Sequence, residues 1–158
     1  FQNEFDHQRT SLIESSKNIF ISSNLYSNDK IYFEGIGRRK TANARVRIYL
    51  WGTGNISING KYIDDYLTRP HDIAIALEPL VAIGKTNTYD ITIHVQGGGI
   101  SGQRDAIQLG IARALLDIDP DCRSEFKEIG YLTRDSRIKE RKKPGLIRSR
   151  KAPTYRKR

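Results

Sequence analysis

Two stretches of the chain alternate between apolar and polar residues with the period of a strand. In residues 45–51, Val46, Ile48 and Leu50 fall on one side and Arg45, Arg47, Tyr49 and Trp51 on the other. Residues 89–96 repeat the pattern, with Ile91, Ile93 and Val95 inward and Thr92, His94 and Gln96 outward. Each predicts a strand with one face on a core and one toward solvent. Between them, Gly52-Thr53-Gly54-Asn55 turns the chain into a short strand, Ile56-Ser57-Ile58, which Asn59-Gly60 ends. Residues 61–67 read as a helical turn, and Asp72 as the cap of a helix over residues 73–77 that Pro79 kinks or interrupts.

After the second alternating stretch the period changes. Ile107, Ile111, Leu115 and Ile118, with Gly110 and Ala114, recur at helical spacing, which predicts a helix from the glycines at 97–99 to about Asp117. Gly110 and Ala114 would let that face approach a sheet closely. Asp119-Pro120 supplies a cap and a first-turn proline for a second helix, Gly130 ends it, and Leu132-Thr133-Arg134 reads as a last short strand. Strand, strand, helix, strand, helix, helix, short strand is the order of an α+β layer: a small mixed sheet with helices packed on one face.

Charge divides the chain differently. Residues 1–30 hold three bases and four acids, residues 31–130 twelve of each, and residues 131–158 twelve bases against two acids. The net charge of +9 is therefore carried by the last 28 residues. The run 137–158 has eleven bases, one acid, two prolines and four large apolar or aromatic residues. That is too little apolar surface to offset chain entropy, so it reads as an extended tail that is not expected to fold on its own. A polyanion is the expected partner, nucleic acid before an anionic membrane surface, because no apolar face recurs at helical spacing. Residues 1–31 form an extension, 32–134 the folded body and 135–158 the basic tail. The extension, rich in Ser and Asn, lacks the build of a secretory signal, and its four acids match a transit peptide poorly. No apolar run approaches the ~20 residues of a membrane span. The single Cys122 excludes an internal disulfide and points to a reducing compartment.

Two segments carry candidate chemistry. Gly35-Ile36-Gly37-Arg38-Arg39-Lys40 begins like a dinucleotide fingerprint, but it lacks the third glycine and opens a strand rather than a helix. Glycines followed by three bases suit a backbone that runs beside phosphates, and that reading is favoured over a plain turn with solvated charges. Gly97-Gly98-Gly99-Ile100-Ser101-Gly102-Gln103 lies between a strand and a helix, where free N–H groups and the helix dipole favour an anion. A tight turn capped by Ser101 accounts for it equally well. It is neither a Walker loop nor a nucleophile elbow. His7, His71 and His94 are scattered, and Cys122 reads as a partly buried helix residue. No enzyme activity, metal or cofactor is expected.

Together these blocks resemble the ninth protein of the small ribosomal subunit, the S-nine family. The resemblance runs through Gly35 to Val46, Ile56 to Gly60, Gly97 to Gln103 and Ala112-Arg113-Ala114-Leu115. It continues through Leu132-Thr133-Arg134-Asp135-Ser136-Arg137, Glu140-Arg141-Lys142-Lys143-Pro144-Gly145 and Arg150-Lys151-Ala152-Pro153. It implies the α+β fold shared with a domain of ribosomal protein S-five, a place in the head of the small subunit among neighbouring head proteins, and no membrane. Ribosomal RNA contacts are then expected at Arg38, Arg39, Lys40, Arg45, Gly97, Gly98, Gly99, Ser101, Gln103, Arg113 and Arg134. In the tail they are expected at Arg137, Arg141, Lys142, Lys143, Arg148, Arg150 and Lys151. The family's tail reaches the anticodon stem-loop of P-site tRNA, which carries onto Tyr155, Lys157 and Arg158. Arg156 stands where the family often has Ser, adding charge and removing a hydroxyl. The tail blocks look most similar to plastid and cyanobacterial members, so a chloroplast or other plastid is the first expectation, a mitochondrion the second and a bacterium the third. Two other classes remain as alternatives: a small phosphotransferase using residues 97–102 as a phosphate loop, and a free RNA-binding regulator.

Overall fold

The structure, a computed structural model, describes residues 32–154. Strands β1 (Tyr32–Arg39) and β2 (Ala42–Tyr49) form an antiparallel hairpin with Arg39 opposite Ala42 and Lys40 at its tip, where φ is 53°. The chain continues through β3 (Ile56–Ile58), β4 (Lys61–Tyr62), the short helix α1 (Ile63–Tyr66) and α2 (Pro70–Ala82). Then come β5 (Asp90–Gln96), α3 (Ile100–Ile118), a 3-10 turn (Pro120–Cys122) and α4 (Arg123–Ile129). The strand order is β1-β2-β5-β3-β4. β2 and β5 are antiparallel, β3 and β5 parallel, so the sheet is mixed and the fold is of the α+β class.

The two alternating stretches form β2 and β5 as expected. Ala44, Val46 and Ile48 are buried, and so are Ile91, Ile93 and Val95. They meet Ala106, Ile107, Ile111 and Leu115 of α3 and Ala76 and Leu80 of α2. Their outward neighbours on the same strands are exposed or half-buried. Asn59, in the left-handed region after β3, extends the parallel ladder with its side chain: Nδ2 donates to the Val95 carbonyl and Oδ1 accepts from the Val95 N–H. Asp119 accepts from the Asp121 N–H and caps the 3-10 turn rather than α4, whose N-cap is Cys122, while Gly130 ends α4 at φ 96° as expected.

α3 lies almost on the backbone of β1. Gly35 and Gly37 point inward, and a Cβ on Gly37 would overlap the Ala106 carbonyl oxygen and stand 2.6 Å from the Gly110 nitrogen. A Cβ on Gly35 would clash with the Gly110 carbonyl and stand 2.6 Å from the Ala114 nitrogen. The expected close approach at Gly110 and Ala114 is therefore present, and its counterpart is the glycine pair of β1. This corrects the reading of those two glycines as room for phosphates, because the space they leave is filled by a helix.

Other elements differ from expectation. β1 is a full edge strand of its own, ahead of the first strand the periodicity predicts. α2 starts at Pro70, a residue pre-set for a first turn, so Asp72 is inside the helix rather than its cap. Pro79 lies within α2, which runs on to Ala82 with Pro79 buried. α3 has Gly99 as its N-cap with no capping side chain, so Ser101 is not a cap. Residues 132–134 are not a strand: the chain turns at Gly130, where the Thr133 N–H donates to the Gly130 carbonyl, and Leu132 packs against the core. The expectations for residues 1–31 lie outside the described residues.

Candidate nucleic-acid interface

The two sequence segments singled out for phosphate chemistry meet at one end of the sheet. The turn at Gly97 and Gly98, at φ 73° and 65°, lies against the β1–β2 hairpin. A Cβ on Gly98 would stand 3.0 Å from the Ala42 Cβ and 3.1 Å from its nitrogen. One on Gly102, in the first turn of α3, would stand 3.8 Å from Cδ of Lys40. Gly99 faces open space. Gln103 is used inside this corner: its Nε2 donates to the Gly97 carbonyl and its Oε1 accepts from the Tyr66 hydroxyl. Ser101 is exposed.

Gly98→Val is expected to cost about 1–3 kcal/mol, since a β-branched residue is strained at positive φ and would press on Ala42. A thermal unfolding midpoint equal to that of the unaltered protein would show that the turn moves aside.

Among the named cations, some are paired and some are not. Arg39 is mostly buried and is spent within the protein, on Asp105 at 3.4 Å, Asp135 at 2.8 Å and the Arg137 carbonyl at 2.6 Å. Arg113 donates to the Ile36 carbonyl at 2.6 Å, covering part of the exposed edge of β1. Arg45 stands on the open face of the sheet, 3.5 Å from Glu34. Among the described residues, Arg38, Lys40, Arg134, Lys142, Arg148 and Lys151 make no ion pair and are exposed. The open face also carries Arg47, which sequence reasoning placed outward and did not select. It lies 4.6 Å from the centre of the Tyr32 ring, and Tyr32 packs on Tyr49 at 5.7 Å. The hydrogen bond that Arg47 donates to the Glu34 carboxylate holds its guanidinium above the ordinary pKa.

The described part of the tail has neither helix nor strand. It carries one hydrogen-bonded loop. Glu140 accepts from Lys143 and from Arg150, each at 2.8 Å, and these contacts pull its carboxyl below the ordinary range. The Ser149 hydroxyl donates to the Glu140 carbonyl, and the Ile147 N–H to the Lys151 carbonyl. A loop therefore closes around Pro144-Gly145 on one carboxylate. The pairs are exposed, so such a loop is weak and yields to a stronger polyanion. Asp135, hydrogen-bonded first by the Arg137 side chain, titrates at about 2. Its ion pairs are thus complete above the ordinary Asp range and are lost only as pH falls toward that value. Tyr155, Lys157 and Arg158 lie outside the described residues.

His71 and His94 are exposed and far apart along the chain, and His7 lies outside the described residues. Burial, followed by a hydrogen bond with Asp119, pushes the Cys122 thiol up, away from a reactive thiolate. Among the described residues, no three His, Cys, Asp or Glu side chains gather as a metal site, and no helix is long and apolar enough to cross a membrane.

This arrangement defines a class: a small α+β body with an exposed cationic arm. Residues 37–158 match the family described as Ribosomal protein S9/S16. The small ribosomal subunit protein uS9 of Cyanothece sp. (strain PCC 7425 / ATCC 29141) is 54% identical over 125 residues, which is 78% of this chain and 90% of that protein. That of Gloeothece citriformis (strain PCC 7424) is 50% identical over 131 residues, 82% of this chain and 95% of that protein. Small ribosomal subunit protein uS9c of Gracilaria tenuistipitata var. liui is 48% identical over 135 residues, 85% of this chain and 98% of that protein. The chain belongs to the ribosomal protein S9 family, proteins of the small ribosomal subunit.

Proposed function

We propose that the chain binds small-subunit ribosomal RNA in the head of the subunit, beside other head proteins. In this reading the corner of Arg38, Lys40 and the 97–99 turn docks the body, and residues 135–158 thread between RNA strands. One observation carries this reading: a body with no net charge bears twelve bases and two acids in its last 28 residues. Many of those bases are exposed and unpaired. Each phosphate that such a base neutralises releases counterions, and Arg adds planar two-point contacts. The similarity to cyanobacterial proteins and to uS9c of Gracilaria supports a plastid ribosome as its place.

The resemblance extends the reading to the P site, where Tyr155, Lys157 and Arg158 meet the anticodon stem-loop of tRNA. Trimming residues 155–158 is expected to leave co-sedimentation with small subunits intact and to weaken P-site tRNA binding severalfold. Unchanged tRNA affinity in purified subunits would make the tail's end one more ribosomal RNA ligand. Loss of co-sedimentation would show that the end is needed for assembly itself.

A further inference from the structure

Arg39 is the junction of an ion ladder that runs from the core to the root of the tail. Asp72 on α2, 6% exposed, pairs with Arg104 at 2.8 Å. Arg104 also holds Asp105 at 2.7 Å, and Asp105 faces the Nε of Arg39 at 3.4 Å. The two terminal nitrogens of Arg39 then reach out of the body: Nη2 to the Asp135 carboxylate and Nη1 to the Arg137 carbonyl. The Arg39 side chain is only 13% exposed, so its bonds are shielded from salt more than surface pairs are.

We propose that Arg39 is a positioning residue, which fixes where and in which direction the cationic tail leaves the body by clamping Asp135 and the Arg137 backbone to α3. The inference rests on the reading of the tail as the RNA-binding arm and says how that arm is aimed. Gly130 ends α4, and between it and Asp135 only four residues separate the tail from the body. Tyr131 and Leu132 pack against the core, so without the clamp the arm would swing about the two residues that follow, Thr133 and Arg134. With it, the basic run begins at the end of β1, next to Arg38. An arm already aimed loses less orientational freedom on binding. Arginine is required for this geometry because one flat fork serves three acceptors in different directions, which a lysine ammonium on a flexible stem does not reproduce.

Two variants test the clamp, with circular dichroism confirming that each folds. Asp135→Asn removes an acid, so RNA binding governed by charge alone would tighten. The clamp requires the opposite: affinity for small-subunit ribosomal RNA falls roughly threefold to tenfold at fixed salt. Arg39→Lys keeps the charge and loses the fork. In the free protein, trypsin cleavage after Arg137 is expected to be about tenfold slower than in a synthetic peptide of residues 131–145, the equivalent of one charge-assisted hydrogen bond. Most of that protection disappears in Arg39→Lys. Equal protection in Arg39→Lys, or unchanged or tighter RNA binding by Asp135→Asn, overturns the clamp. The cleavage measurement contains no RNA. It therefore decides the clamp even if removing the tail turns out to leave RNA binding untouched, a result that would defeat the tail reading alone.

Discussion

Replacing Gly37 by alanine is expected to cost the protein at least about 3 kcal/mol, out of a total of about 5–15 kcal/mol for a domain of this kind. The added methyl would overlap the Ala106 carbonyl and come within 2.6 Å of the Gly110 nitrogen. Both are helix backbone, so neither moves aside as a side chain would. α3 must withdraw from β1, and with it go the contacts of Ile107, Ile111 and Leu115 with the sheet. The thermal midpoint should fall by about 10 °C or more. Gly99→Ser is the control: that residue is the N-cap of α3 at φ −113° with nothing near its missing Cβ, and serine caps a helix at least as well as glycine, so the midpoint should not fall. Equal midpoints for the two variants would show that the helix and edge strand do not meet as described. The same contact accounts for a dinucleotide-like Gly-x-Gly in a protein where it serves packing.

That contact was only half legible in the sequence. β2 and β5 announce themselves because their inward positions are branched and apolar, while charged or polar residues alternate with them. β1 has the same period, but two of its inward positions are glycines and Ile36 points outward, 42% exposed, so no apolar stripe marks it. The start of α2 was hidden for a related reason. Arg69 is its N-cap and makes no capping bond, so the chain offers Asp72 as a more conventional signal three residues later. Asp72 is instead committed to Arg104, 32 residues away. The candidate interface divides in the same manner. The charge of the tail is a property of composition and is plain in the chain. The use of Arg39 is a property of three partners far from it in sequence, and nothing local distinguishes it from Arg38, which remains exposed.

Deleting residues 137–158 is expected to abolish most of the salt dependence of RNA binding. The deletion removes eleven bases and one acid and takes the formal charge from +9 to −1. Fully extended, the segment reaches roughly 70 Å at about 3.3 Å per residue, far enough to pass between RNA strands distant from the body. If about eight of its bases meet phosphates, the slope of log affinity against log salt is on the order of −6 to −7, from ~0.7–0.9 per phosphate. What remains after deletion is a body with few unpaired cations near the hairpin tip, Arg38 and Lys40 among them, and a slope of roughly −1 to −2. Affinity at low salt should then fall by orders of magnitude while the unfolding midpoint of the body changes little, since none of residues 137–154 belongs to the buried core. The Glu140 loop sharpens the expectation. Lys143 and Arg150 are partly neutralised in the free protein, so RNA must displace their shared carboxylate before it gains them. Glu140→Gln should therefore strengthen binding modestly. An unchanged slope after the deletion would move the RNA-binding charge into the body, where twelve bases and twelve acids nearly cancel. Only a patch selected by the fold, such as the Arg45–Arg47 face of the sheet, could then supply it.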